Sequence, residues 1–209
     1  MASYLYRCGV TMDQDEQALV QGNPIDPKTP DELEKETNAN TVSRASEVDG
    51  EKVTNQTATI VISAVPCCGK TNWCKEHPDS KDLESSLYSK NPDKTPNENF
   101  PNNYLDILKW HLLNSNWKYI FVSSHDTVRG AMDAAGIEYY VIYHNKSRKD
   151  EIMAKCKERG NTDEFIEQYS KNWESWMDSC AAHSKSYQLE PNEFITEELF
   201  NTKLGFLKA

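Results

Sequence analysis

Residues 58–71, Ala58-Thr-Ile-Val-Ile-Ser-Ala-Val-Pro-Cys-Cys-Gly-Lys-Thr71, read as a buried β-strand running straight into a turn able to cradle phosphate. Ile60, Val61 and Ile62 form a short β-branched run, and Gly69-Lys70-Thr71 then opens a helix. In such a loop the backbone N–H groups and the start of the helix surround a polyphosphate. The lysine ammonium bridges its outer phosphates, and the threonine hydroxyl helps to hold Mg²⁺. The pattern departs at one place: it asks for glycine five residues before Gly69, where Ala64 stands. A Cβ there restricts positive-φ geometry and crowds the phosphate. Pro66 removes one further N–H donor. The alternative is an ordinary strand–turn–helix corner whose lysine is solvated.

Composition divides the chain. Its 209 residues suggest one domain of about 150 residues plus extra segments. Residues 1–57 hold 11 acidic and 5 basic residues, with few large apolar groups between Val20 and Val53. That stretch cannot bury enough apolar area to offset its ordering entropy, so an acidic, largely disordered N-terminal arm is expected over 1–57. The domain is expected over 58–209. A net charge of −10 leaves no basic stripe for nucleic acid or an anionic membrane. No apolar run approaches the ~18–20 residues that cross a bilayer. Met1–Cys8 lacks the apolar core of a signal peptide. These features point to the cytoplasm, or the host cytoplasm for a viral gene.

The six cysteines (Cys8, Cys67, Cys68, Cys74, Cys156, Cys180) fit reduced thiols better than a disulfide framework. Cys67, Cys68, Cys74 and His77 invite a zinc reading, but adjacent cysteines do not supply the usual ligand gap and no second Cys-x-x-Cys occurs. Cys67 and Cys68 instead fill the loop as small residues. Beside Lys70 and a helix start, their thiols are expected to have lowered pKa and to react with oxidants.

After the loop, periodicity predicts a helix over 70–76 that stops before Pro78, and a short edge strand ending near Leu83. Residues 90–102, with Pro92, Pro96 and Pro101, form a loop, and 103–115 an amphipathic helix. Strands follow over 118–124 and 137–143, separated by a helix over 127–135 that Asp126 caps and Gly136 ends. Ser147 with Asp150 resembles a capping box for a basic helix, 148–159. Phe165, Tyr169, Trp173, Trp176 and Met177 form the core stripe of another helix. A last strand is expected over 187–190 and a last helix over 196–207. Strands separated by helices imply right-handed βαβ units and a parallel sheet covered on both faces. Ligands gather at the carboxyl ends of such strands, which places 64–71, Ser123-Ser124-His125 and His144-Asn145 on one rim.

In this order the elements resemble a P-loop kinase of the nucleoside or nucleotide monophosphate kinase type, and are similar to small kinase-like proteins of bacteriophages. The resemblance covers about residues 58–200. It implies an α/β fold: a three-layer P-loop NTPase core with a mostly parallel sheet of about five strands, a helical substrate insertion and a lid helix. It also implies ATP and Mg²⁺ as cofactors and a nucleotide or nucleoside as a small-molecule acceptor. Ala64, Val65, Pro66, Cys67, Cys68, Gly69, Lys70 and Thr71 would form the phosphate loop. Lys70 would neutralise charge on the transferring group, and Thr71 would ligate the metal. Arg148 and Arg159 of the lid helix would be catalytic, and Arg129 would bind substrate phosphate.

The strand-end carboxylate usual beside such a loop is missing, since Ser123-Ser124-His125 stands there. Asp82 and Glu84, spaced i, i+2, point the same way if that segment is extended. They are candidates to bind Mg²⁺ or to accept a proton from a substrate hydroxyl, or they are solvated acids of a polar loop. His125 is a candidate to contact phosphate or a hydrogen-bonded structural histidine. The leading functional expectation is an ATP-dependent phosphotransferase. The alternative is a regulatory nucleotide-binding protein with little or no transfer, its acidic arm binding a protein partner. A third reading is an NTPase with water as acceptor.

Overall fold

The computed structural model describes residues 59–204, so the expectations for the arm at 1–57 concern residues outside that range. The chain runs β1 (Ile60–Ala64), α1 (Lys70–Glu76), β2 (Ser80–Asp82), α2 (Asn102–Asn114), β3 (Tyr119–Ser123), α3 (Asp126–Ala134) and β4 (Tyr140–His144). Then follow α4 (Lys149–Glu158), α5 (Asp163–Lys171), α6 (Trp173–Ala181), β5 (Ser186–Leu189) and α7 (Glu197–Thr202). Short 3₁₀ turns precede α2, at Ser85–Leu87, and α4, at Lys146–Arg148.

The five strands form one sheet in the order β2-β3-β1-β4-β5, and every pairing is parallel. β1 is central, with Ala64 registered opposite Ser123 of β3 and Ile142 of β4. The chain leaves β1 toward one edge of the sheet, where β2 lies, and leaves β4 toward the other. Connections that diverge from neighbouring strands open a crevice at their carboxyl ends. The turn after β1 therefore sits where an open α/β sheet leaves space for a ligand.

Helices cover the sheet because its central strands are apolar on both faces. Val61, Ile62, Ile120, Phe121, Val122, Val141 and Ile142 are all buried. α2 packs on α3, α6 lies on β4 and β5, and α4, α5 and α6 pack in sequence. α1 is held by Trp73, whose ring stacks on His77 at 3.6 Å and on Phe200 of α7 at 4.1 Å. The Trp73 indole N–H donates to Ser80 Oγ (3.0 Å), fixing α1 against the start of β2. Among the described residues no helix is long and apolar enough to cross a membrane.

Local structure departs from the sequence expectations at five places. The last helix ends at Thr202 rather than at 207, because Lys203 N–H and Leu204 N–H both return to Leu199 O. β4 starts at Tyr140 rather than Ile137, because Ile137 N–H returns to Met132 O and completes the end of α3 around Gly136 (φ 66°). The aromatic stripe is shared by two helices, α5 and α6, which break at Asn172 (φ −95°, ψ 4°). Asp126 does not cap α3. It is the first helical residue, and its carboxylate accepts from Arg129 and from Ser179 Oγ (2.7 Å). Nor do Ser147 and Asp150 form a capping box: Asn145 Oδ1 accepts from Ser147 N (3.0 Å) and Ser147 Oγ (2.9 Å) and opens the 3₁₀ turn before α4.

One side chain braces the rim from below. The buried Tyr104 hydroxyl donates to Leu83 O (2.6 Å) and accepts from Ser123 N (3.1 Å), joining the ends of β2 and β3. Tyr104→Phe strands a carbonyl and an amide together, and urea unfolding is expected to show a loss of about 1–3 kcal/mol with an unchanged m-value.

Candidate functional site

The turn after β1 is built from a few backbone commitments. Val65 N–H donates to Ile142 O (3.1 Å), so the loop leaves the sheet only after that residue. Pro66 O accepts from His144 Nε2 (2.9 Å), and Cys68 O accepts from Ile195 N (2.8 Å). Two carbonyls are thereby turned outward, one toward β4 and one toward the segment before α7. Cys67 has φ 61° and Gly69 φ 108°. A Cβ on Gly69 would stand 3.1 Å from both the N and the O of Ile195. Glycine is needed here on two counts, the positive φ and the approach of another backbone.

With Pro66 O and Cys68 O engaged, the Cys67 and Gly69 N–H groups, trans to them across the planar peptides, face the other side of the loop, while Lys70 N–H donates to the Cys68 sulfur. Among the described residues, none of the amides from Cys67 to Thr71 donates to a backbone carbonyl. Successive amides facing one way around positive-φ residues form an anion-binding concavity. α1 is only seven residues long, so its dipole adds little; the loop amides are the donors. Of the residues placed in the phosphate loop, Ala64 sits in the sheet, Val65 N–H is used by Ile142, and Pro66 has no N–H to give, so none of the three offers a free backbone donor.

Lys70 folds back over this turn. Its Nζ donates to Ala64 O (2.8 Å) and reaches Val65 O at 3.5 Å. Burial works to lower its pKa, but Cys68, Asp82 and Glu84 outweigh burial and hold it above the ordinary lysine value. Its charged form is thereby favoured despite burial.

The Thr71 hydroxyl donates to Asp82 Oδ2 (3.1 Å), joining the start of α1 to the end of β2. Asp82 is 7% exposed, and its Oδ1 is buried without a hydrogen-bond partner. Burial pushes the Asp82 pKa up, against the pull of Lys70. The carboxylate missing from the end of β3 is thus replaced from one strand further out. Glu84 is half-buried, and its Oε1 accepts from Ser86 N (3.2 Å); it lies within electrostatic reach of Lys70 and Asp82.

The three arginines separate. Arg148 is 2% exposed and committed to the fold: Nε and Nη2 grip Glu151 (2.9 and 2.8 Å), and Nη1 donates to Glu193 O (2.7 Å). Its guanidinium also lies over the Phe194 ring at 4.8 Å. Arg129 is equally occupied, with Nε on Ser124 O (3.2 Å), Nη1 on Ser179 O (2.9 Å) and Nη2 on Asp126. The expected phosphate roles of Arg148 and Arg129 are corrected accordingly; both buttress the elements around the rim. Only Arg159 reaches the loop, its Nη1 lying 3.5 Å from Cys67 Sγ. Arg148 and Arg159 flank α4 at its N-terminal and C-terminal ends.

His125 precedes α3, its Nδ1 2.6 Å from Ser123 Oγ and its ring 4.9 Å from Trp176. Desolvation and the Lys70 charge lower its pKa. The two loop thiols diverge. Burial raises Cys68, whereas a hydrogen bond with Cys156, aided by Arg159 and Lys70 against burial, lowers Cys67. Among the described residues no three His, Cys, Asp or Glu side chains converge to hold a metal by themselves.

Sequence reading placed His144 on the rim but did not give its bond to the loop, and it missed the contacts of Ile195 and Cys156 with the loop. These residues lie 78 to 127 residues beyond their partners, a separation that carries no local signal. No protein-family model matches the sequence, and no curated protein is similar to it.

His144 donates through Nε2 to Pro66 O while Nδ1 faces the Arg148 guanidinium at 3.4 Å, so a proton on Nδ1 would stand against that charge in a buried site. Burial lowers its pKa from 6.5 to about 4, with Arg148 and Lys70 adding to the effect. The unfolded chain therefore binds this proton more readily, so the contribution is complete above pH 6.5 and is lost as pH falls toward 4. Between these limits the wild type is expected to lose up to about 3 kcal/mol relative to His144→Gln, read as a difference in urea unfolding across pH.

Proposed function

We propose that the chain is an ATP-dependent phosphotransferase acting on a small acceptor, a nucleotide or nucleoside. What carries the reading is the convergence of outward loop amides, the Lys70 cation and the Thr71–Asp82 pair at the diverging end of a parallel sheet. That set matches the charge of a polyphosphate with its divalent cation. The orphaned Asp82 Oδ1 is the atom that tests whether a metal fits. This buried carboxylate oxygen has no hydrogen-bond partner, and Mg²⁺ takes such oxygen ligands together with phosphate and water. Thr71 Oγ1 and Asp82 would hold the metal side, and the amides from Cys67 to Thr71 the phosphate oxygens. Bound Mg²⁺ would neutralise phosphate charge.

The chain's own residues then have separate tasks. Lys70 exchanges the carbonyls of Ala64 and Val65 for phosphate oxygens, remaining charged throughout. Arg159 stands at the loop as the nearest guanidinium for charge developing on a transferred group. Glu84 and His125, both within electrostatic reach of Lys70, are the groups able to orient or deprotonate an acceptor hydroxyl.

A second reading, nucleotide binding without transfer, is favoured by one observation: two of the three expected arginines are consumed inside the fold. A screen of nucleotides, nucleosides and sugars for acceptor-dependent ADP release separates the two. Release is expected only with an acceptor, falling by about 10²-fold or more in Lys70→Ala. Binding of Mg-ATP with no release from any acceptor would instead establish the second reading, and equal release from both proteins would end the enzyme reading.

Asp82→Asn removes a buried charge while retaining an acceptor for Thr71. Its melting temperature is expected to match or exceed that of the wild type, while calorimetry shows ATP binding that no longer responds to Mg²⁺.

A further inference from the structure

Cys67 Sγ lies 3.1 Å from Cys156 Sγ, a contact between the phosphate-cradling turn and the middle of α4. The residues are 89 positions apart, so the fold alone brings them together. A disulfide requires the sulfurs to approach by only about 1 Å more. Both side chains are buried, Cys67 at 8% and Cys156 at 0% exposure, with Cys67 the one at the surface of the turn. Arg159, three residues beyond Cys156, directs Nη1 at Cys67 Sγ (3.5 Å) and favours the thiolate there. The buried Tyr169 hydroxyl, without a hydrogen-bond partner, lies within electrostatic reach of both sulfurs. Cys68, Cys74 and Cys180 are free thiols too, but burial raises each of them.

We propose that Cys67 and Cys156 form a reversible disulfide under peroxide, fastening the turn after β1 to α4 and disabling its anion cradle. The bond itself is independent of the function proposed above; its consequence for nucleotide rests on that reading. The Cys67 thiolate attacks one oxygen of hydrogen peroxide, the O–O bond breaks, and hydroxide leaves to take up a proton as water. Cys67 is then a sulfenic acid. The sulfur of Cys156 attacks it, the S–O bond breaks, and the departing oxygen leaves as water with the Cys156 proton. Two thiols are oxidised by two electrons, and one peroxide is reduced to two waters. A dithiol reductant reverses the bond.

The effect on the site follows from what Cys67 carries. Its amide is the first of the outward donors, and its φ of 61° sets their direction. Drawing its sulfur toward α4 moves that amide and fixes a loop that must adjust when Lys70 leaves its own carbonyls. It also removes the sulfur acceptor that positions Arg159.

The full chain, reduced and then treated with hydrogen peroxide, is digested without reductant and mapped by mass. A Cys67–Cys156 cross-linked peptide is expected, lost with dithiothreitol and absent from Cys156→Ala. Stable sulfenic or sulfinic acid on Cys67, or cross-links to Cys8, Cys68, Cys74 or Cys180 instead, would overturn the pair. Because Cys156→Ala could disturb α4, thiol mapping of the wild type alone decides this point. Calorimetry with Mg-ATP then reads the consequence: about tenfold weaker binding after oxidation, restored by dithiothreitol, is expected of the wild type only. Equal binding by the cross-linked and reduced forms would overturn the switch. If the reduced protein binds no Mg-ATP, the nucleotide reading fails while the cross-link still stands or falls on its map.

Discussion

Everything at the rim depends on the chain turning beside Ile195 at a residue with no side chain. Gly69 lets the loop come within contact of that backbone, and the bond from Ile195 N–H to Cys68 O holds the two together. Once Cys68 O is taken by Ile195 and Pro66 O by His144, the Cys67 and Gly69 amides, trans to them, are turned to the opposite side of the loop. The same turn sets the start of α1, which delivers Lys70 back over Ala64 and Thr71 across to Asp82. The loop's shape thus results from satisfying two carbonyls, Pro66 O and Cys68 O, and the proposed phosphate binding rests on that shape.

The charges follow a similar division. In an acidic chain, each buried arginine needs acidic or carbonyl partners, and Arg148 and Arg129 find theirs in Glu151, Glu193, Asp126 and Ser179. Their work is to join segments: Arg148 ties the start of α4 to the strap before α7, and Arg129 ties α3 to α6. A cation serving phosphate has to keep a donor toward the crevice and be close to the turn. Lys70 meets both conditions through carbonyl bonds that a stronger anion can displace, and Arg159 approaches from α4.

The strands and the loop were legible because their signals are local. The β-branched run at Ile60–Ile62 and the triplet at Gly69 each report on neighbours within a few residues, as do the other strand runs. Asp82 was legible in a weaker way, as a carboxylate at the end of an extended segment. What could not be read was tertiary: that Trp73 on Ser80 and Phe200 would aim α1 so that Thr71 meets Asp82. The arginines misled for the same reason. A basic helix looks alike whether its residues face phosphate or Glu151, and only the strap at Glu193–Ile195, far along the sequence, decides between them. The break at Asn172 was hidden because the aromatic stripe continues across it in phase.

The distribution of unmet demands is itself an argument for an anionic ligand with a cation. Folding leaves few buried polar atoms without partners, because each costs about 1–3 kcal/mol. Here Asp82 Oδ1 and Ser124 Oγ are buried unpartnered at or just past the ends of β2 and β3, and Tyr169 Oη lies within reach of the loop sulfurs. The positive φ of Cys67, a strained value for a residue with a side chain, falls on the turn between them. A fold shaped for stability alone would exchange Asp82 for an apolar residue and Cys67 for glycine. On the reading proposed above, a cation beside Asp82 Oδ1 and phosphate oxygens beside the Cys67 amide would meet part of this unmet polarity at the ends of the strands.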